Sequence, residues 1–287
     1  MANPTLNTNV TLSIAQTSQY VPEIWTREIQ DPFDMNLEIA KLVQDRSGLV
    51  KGGGDTVHIP FTSTISARAK AASTDITYDS PEGSPITLSI DKHYYVGTKI
   101  EDIAKVQATY DLKAAFQGRL AYALAVQVYT DLLALYASAG STVAGGAAID
   151  DADILAVVTD FDNSNTPLSQ RRGVIGANTK ADLSGVNKYT AYDQTGKTGK
   201  AVDGTNGLVA SVYDMDLHFS QNVPTSVTGR NLFFHKSAIN VAKQQAPKFV
   251  MEYSVDSLAW KTALHTVYGV GVERAASIVE LTRTTAP

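Results

Sequence analysis

The sequence predicts an α+β fold, and three patterns predict it. Apolar residues recur every three or four positions over 112–138, the mark of one long helix. Apolar and polar residues alternate at 56–61, 86–90 and 249–274, which is strand spacing. Between the helix and the last strands, residues 150–245 mix short strands with helices.

Taken in order, residues 1–20 are polar and rich in Asn and Thr. They bury too little to order alone and read as an N-terminal arm. YVPEIW follows at 20–25, and Asp31-Pro32 suits the start of a helix over 33–45. That helix places Phe33, Leu37, Ile39, Ala40, Leu42 and Val43 mostly on one face.

The stretch KGGGDTVHIPFTST at 51–64 resembles a phosphate loop only superficially. Such a loop needs Gly, four residues, then Gly-Lys-Ser/Thr opening a helix. Here Lys51 precedes the glycines, Asp55 would put a carboxylate among phosphate oxygens, and Val57, Ile59 and Phe61 alternate as a strand. The glycines therefore read as a turn, since glycine reaches positive φ without steric cost. Pro60 donates no amide, so this strand belongs at an edge or ends early. A second strand carries Ile86, Leu88 and Ile90 on one face. Residues 62–85 between them are polar, with Pro81 and Pro85. A connection this long is uncommon inside a compact domain. The two strands can pair as an extended arm, which is marginal alone and needs another surface to lie on.

Ile100–Ala108 has helical spacing, and the long helix over 112–138 stops at Ala139-Gly140. Gly145-Gly146 reads as a linker, and Asp150-Asp151 as the cap of a helix over 151–162. GVIGAN at 173–178 reads as a buried strand, 187–206 as a polar loop, and 208–213 and 216–219 as strands. NLFFH at 231–235 is a strand running into a helix at 236–245. In the last region Trp260, Thr262, Leu264, Thr266, Tyr268, Val270 and Val272 share a face, with Lys261 and His265 opposite. SIVEL is a final strand.

Composition narrows the function. With 44% hydrophobic residues the chain can bury roughly three quarters of its surface. A net charge of −5 argues against a general nucleic-acid reader. The absence of cysteine excludes disulfides, thiolate metal sites and cysteine nucleophiles. The start lacks a basic and apolar leader, and no run nears 18 uninterrupted apolar residues. The expectation is a soluble protein made inside the cell, without a membrane segment.

No catalytic set emerges. His58, His93, His218, His235 and His265 show no metal-helix spacing, and His58, His218 and His265 read as structural strand residues. No GxSxG elbow is present. Glu101-Asp102 reads as a helix N-terminus, Asp150-Asp151 as a cap and Asp214/Asp216 as a turn. Arg171-Arg172 reads as a solvated loop, though it could meet a phosphate or a carboxylate, and Tyr94 and Tyr95 read as packing residues. No catalytic, cofactor or metal residue is assigned, and no cofactor is expected.

The order of these pieces resembles a known family. An arm leads through YVPEIW, GGGDTVHIP and TLSIDKHYYVGTKIEDIAKVQATYDL into a long Ala-rich helix. RRGVIGANTKADL, LVASVYDMDLHFSQNVP, FFHKSAINVAKQQAP and YGVGVERAASIVEL follow. Over essentially the whole chain this is similar to tailed-bacteriophage major capsid proteins of the Hong Kong 97 type. The resemblance implies an N-terminal arm over 1–32, a short helix plus the extended E-loop over 33–99 and a P-domain spine helix over 100–149. It implies an axial A-domain over 150–247 and return strands of the P-domain over 248–287. It implies hexamers and pentamers that tile an icosahedral shell around double-stranded DNA, in a virion assembled in the host cytoplasm. Partners so implied are the chain itself, a portal protein at one vertex, a possible decoration protein and weakly contacted DNA. A separate scaffolding protein is implied because only residues 1–32 precede the first helix. Some members crosslink a Lys to an Asn. Lys70 is the lone Lys of the 62–85 tip, and no crosslink is expected. The alternatives are an encapsulin-type compartment shell of the same fold, an α/β hydrolase or nucleotide-binding enzyme, and another virion part such as a tail tube.

Overall fold

The structure, a computed structural model, describes residues 39–50, 54–60, 65–78, 83, 85–101, 112–190, 208–224 and 228–284. The helix expected at 33–45 is described over Ile39–Leu42, and 33–38 lie outside the described residues. It stops early because Gln44–Asp45 form β1, which pairs in parallel with Asn240–Val241. The arm is as expected. β2 (Thr56–Ile59) ends at the donor-less Pro60 and pairs antiparallel with β3 (Ile86–Ser89), in register from Thr56↔Ser89 to Ile59↔Ile86.

β4 (Lys92–Glu101) corrects the start of the helix expected at 100–108 and the reading of Glu101 as a helix N-terminus. Ile100 and Glu101 are strand residues, and residues 102–111 lie outside the described set. Ten consecutive cross-strand pairs, from Lys92↔Tyr268 to Glu101↔Ala259, outweigh the local helical spacing. The long helix is α-helical over Leu112–Leu133 and tightens to a 3-10 turn over Ala134–Ser138.

β5 (Ser141–Gly145) stands where a linker was expected. Gly145 serves close approach, since a Cβ there would lie 2.4 Å from Ile149 Cδ1 and 2.7 Å from Thr282 O. The next helix, Asp151–Asn163, has the expected cap: Asp150 accepts from the amides of Ala152 and Asp153, and Asp153 accepts from that of Asp150. Asp150→Ala should cost ~1 kcal/mol, read as a lower denaturation midpoint.

β6 (Arg171–Ile175) begins before the expected strand and corrects the solvated-loop reading of Arg171, which is 1% exposed. The helix Ala177–Gly185 was not legible, because it buries only Thr179 and Leu183. Asn187–Thr190 is one helical turn, and the rest of the 187–206 loop lies outside the described residues. β7 (Leu208–Val212) and β8 (Met215–Phe219) form the expected strands. Tyr213 and Asp214, at φ 48° and 61°, make the two-residue turn between them.

β9 (Thr228–His235) does not enter a helix. A 3-10 turn at Lys236–Ala238 leads directly into β10 (Ile239–Ser254), which overturns the helix expected at 236–245. Ile239, Asn240, Val241 and Ala242 are all buried, and β1 and β11 flank the start of β10 on its two edges. Such a doubly covered strand shows no alternation from which its period could be read. β11 (Ala259–Val272) and β12 (Ile278–Thr284) follow.

The strands form a four-stranded sheet ordered β1-β10-β11-β4, a six-stranded sheet ordered β5-β12-β9-β6-β8-β7, and the β2-β3 hairpin. Pairing cuts across the sequence boundaries at 149 and 247. β5 and β12 join the sheet built from strands of 150–247, and β10 runs unbroken through 247. The six-stranded sheet has a core on each face. Phe233, Leu217 and Leu281 pack with Ile154, Val157 and Phe161 of the capped helix. Leu232, Phe234, Val174 and Ile278 pack with Leu132 and Leu133 of the long helix and with Ile39 and Leu42. The same long helix covers the four-stranded sheet through Leu120, Leu124 and Leu264. Asp131 pins it there, accepting from the Tyr268 hydroxyl (2.8 Å) and facing Lys92 Nζ (3.3 Å).

Candidate assembly surfaces

The root of the arm is buried, and residues 65–78 beyond it are exposed. Leu88 and Ile90 are buried with Val50 and Ala242. Ile90 donates its amide to Asp55 O (2.7 Å), and Gln244 Nε2 donates to Gly54 O (2.8 Å). β11 admits this root through two glycines. A Cβ on Gly269 would lie 2.2 Å from Ser89 O, and one on Gly271 would lie 2.8 Å from Leu88 Cδ1. Gly54 turns the chain at φ 103°, so the glycine-rich stretch is a turn where it is described, while Lys51–Gly53 lie outside. Residues 65–78 are exposed throughout, with Ile65, Ile76 and Tyr78 at 63%, 60% and 87% exposure. Three large apolar side chains exposed on one segment offer a contact surface.

Two more surfaces share that property. The turn joining β10 to β11 exposes Val255 and Leu258. The long helix buries only a narrow seam, leaving Phe116 exposed and a groove of about 260 Å³ lined by Ala121, Leu124, Ala125, Val128, Leu264 and Tyr268. Among the described residues one helix, Phe116–Ser138, is long and apolar enough to cross a membrane by length and composition.

Asp151 and Asp182 are each held by several structural contacts. Asp151 accepts from Lys188 Nζ (2.8 Å), Tyr213 Oη (2.7 Å) and Tyr189 Oη. Burial opposes its charge, but these donors outweigh burial and hold its carboxyl below the usual range. Burial, with Asp151 beside it, pushes the Tyr189 hydroxyl well up. Asp182 holds Arg283 through Nε (2.6 Å) and the Ile149 amide (3.1 Å), tying its helix to β12. Of the histidines, His58 lies on β2, His218 on β8, and His93 of β4 stacks edge-on against His265 of β11 at 5.5 Å. Among the described residues no three His, Asp or Glu side chains are grouped to hold a metal. Asp214 sits in the hairpin turn and Asp216 in β8, apart from Asp150-Asp151 at their helix cap.

His235 closes β9, and its Nδ1 accepts from the Ser237 amide (3.3 Å). Burial first, then the charges of Arg274, Arg171 and Arg172, push its pKa below the ordinary value, although a bond to Ser169 opposes this. A depressed histidine stays neutral in the fold and must charge there at a cost. The stability it contributes is present above about pH 6.5 and is lost as pH falls through the lower folded value. His235→Gln should therefore lose less melting temperature between pH 7 and pH 5 than the native chain.

Sequence reading missed β4 and the two glycines of β11. Both left a signal: KHYYVGTKIE alternates, and Gly269 and Gly271 are two apart on one strand face.

Known structures share this architecture. A chain of Mycobacterium phage Che8 superposes with a TM-score of 0.79 at 24% identity, covering 91% of this chain and 97% of that one. The capsid of cyanophage P-SCSP1u matches at TM-score 0.75 and 17% identity, over 98% of both chains. The mature capsid of bacteriophage PhiM1 matches at TM-score 0.75 and 13% identity, over 93% of both. No protein-family model and no curated protein matches the sequence. The fold is thus that of phage capsid chains, the α+β architecture that the sequence and its resemblance implied.

Proposed function

We propose that this chain is a structural major capsid protein that builds the icosahedral shell of a tailed phage around double-stranded DNA. The observation that carries the reading is an arm anchored at Gly269 and exposed at Ile65, Ile76 and Tyr78, on a fold matched nearly end to end by phage capsid chains. Such an arm can cover a neighbouring copy with apolar surface that it cannot bury at home. Head-to-tail contacts of this kind extend an assembly until rotation closes it, here as hexamers and pentamers. On this reading the hairpin is the E-loop, the long helix the spine of the P-domain, and 150–247 the core of the axial A-domain. Scaffolding, portal and decoration proteins and loosely held DNA are its partners, the virion is its location, and the host cytoplasm is where it assembles. The saturated Asp151 and Asp182 networks support a role without catalysis.

The test is negative-stain microscopy of the chain expressed alone and with its scaffolding protein. Closed shells that need the helper are expected. Uniform cargo-loading particles from the chain alone would favour the encapsulin-type reading, and a monomer under both conditions would overturn both.

A further inference from the structure

One end of the six-stranded sheet is cationic in a chain whose net charge is −5. β6 starts and β9 ends there, and Arg171 lies directly opposite His235 in register. Arg172 is next on β6, with Nη1 donating to Leu42 O (2.5 Å). Lys236 follows His235 and is held by its amide on Gln170 O (3.2 Å). Arg274 is brought in by its amide on Ala238 O (3.4 Å) and is exposed. Arg46 joins from the side through Glu273 (3.0 Å), whose amide donates to the same Ala238 O (2.7 Å). Two carboxylates are ion-paired into this group, Asp162 with Arg171 and Glu273 with Arg46. Arg172, Lys236 and Arg274 have no carboxylate partner among the described residues.

The buried base is also unsaturated. Arg171 is 1% exposed and donates to Asp162 (2.7 Å), Thr166 O (2.6 Å) and Pro167 O (3.0 Å), while its Nη1 has no partner. Arg171 faces the Phe161 side of the sheet and Arg172 the Leu42 side, and with half-exposed Lys236 and exposed Arg274 they hold the potential positive at this end; guanidinium forks suit phosphate oxygens. His235, neutral among them, adds no competing carboxylate.

We propose that Arg172, Lys236 and Arg274 form a contact site for the phosphodiester backbone of nucleic acid, weak and salt-sensitive. It rests on the shell reading for its partner, since a capsid subunit faces packaged DNA. Three phosphate contacts on an otherwise acidic protein bind at low salt and release at high salt, leaving the DNA mobile.

The test measures binding of the full chain to a short DNA duplex by fluorescence anisotropy across a salt series. The logarithm of affinity should fall with log salt at a slope of about −2.7, from three neutralised phosphates. The double variant K236A/R274A should flatten that slope by about 1.8, while K236R/R274K should retain it. No binding at the lowest salt, or an unchanged slope in the double variant, overturns the proposal. Full displacement by inorganic phosphate at constant ionic strength also overturns it, by making the site one for a small anion. Electron microscopy of the same variants separates the two readings. Normal shells with an unchanged slope would sink this site alone, whereas failure of the native chain to form shells would sink the capsid reading.

Discussion

Replacing residues 60–85 by Asn-Gly should leave a folded subunit that no longer forms stable shells. Ile59 and Ile86 face each other in register, so a two-residue turn can close the hairpin there. The root is untouched, because Leu88, Ile90 and their partners Val50 and Ala242 lie outside the removed segment. The subunit's melting temperature should stay close to the native value. What disappears is the exposed segment with Ile65, Ile76 and Tyr78. A standard protein contact buries on the order of 1,600 Å², and a shell repeats its contact in every subunit. Particles should therefore vanish from micrographs and sedimentation profiles. Normal shells from this variant would show that the arm is not an assembly element.

The second large effect is expected at Gly269. Gly269→Ala puts a methyl 2.2 Å from Ser89 O, 3.0 Å from Ser89 C and 3.1 Å from Ile90 Cα. All three are backbone atoms, so no side chain can rotate away. Either β11 shifts or the arm root lifts. Overpacking of this kind costs about 3 kcal/mol. For a chain of this size that is a fall of roughly 6–12 °C in melting temperature. Shell formation should fail too, because the lifted root re-aims the whole arm. Gly118→Ala is the matched control: nothing lies within 4 Å of that Cβ, on an exposed face of the long helix. It should stabilise the isolated subunit by roughly 0.5–1 kcal/mol. Equal melting temperatures for Gly269→Ala and the native chain would remove the close crossing from the account.

These two positions show what was legible. The arm could be read because Thr56–Ile59 and Ile86–Ser89 alternate and the residues between them do not. Its anchorage could not, because the glycines that admit it lie about 180 residues further on, and only the folded chain sets β11 against β3. The strand β10 was misread at its start for a related reason. Ile239–Ala242 are covered on all sides, and uniform burial erases the period that separates strand from helix. β4 was missed because Lys92–Lys99 was assigned to no element and Ile100 was given to a helix, and pairing with β11 decided it. Arg171-Arg172 looked like loop residues because two adjacent arginines are ordinarily solvated. The fold instead buries the first behind Asp162 and Phe161 and leaves the second half-exposed.

The amino-acid order alone determined the long helix, the alternating ribbon at the end, the capped helix after Asp150 and the absence of any cysteine chemistry, since each depends on neighbours a few residues apart. Only the tertiary structure decided how β5 and β12 join the central sheet, where the arm is pinned, and that Arg171 is buried beside Asp162. Those outcomes depend on residues far apart in sequence, whose meeting is fixed by how the sheets pack and not by any local spacing.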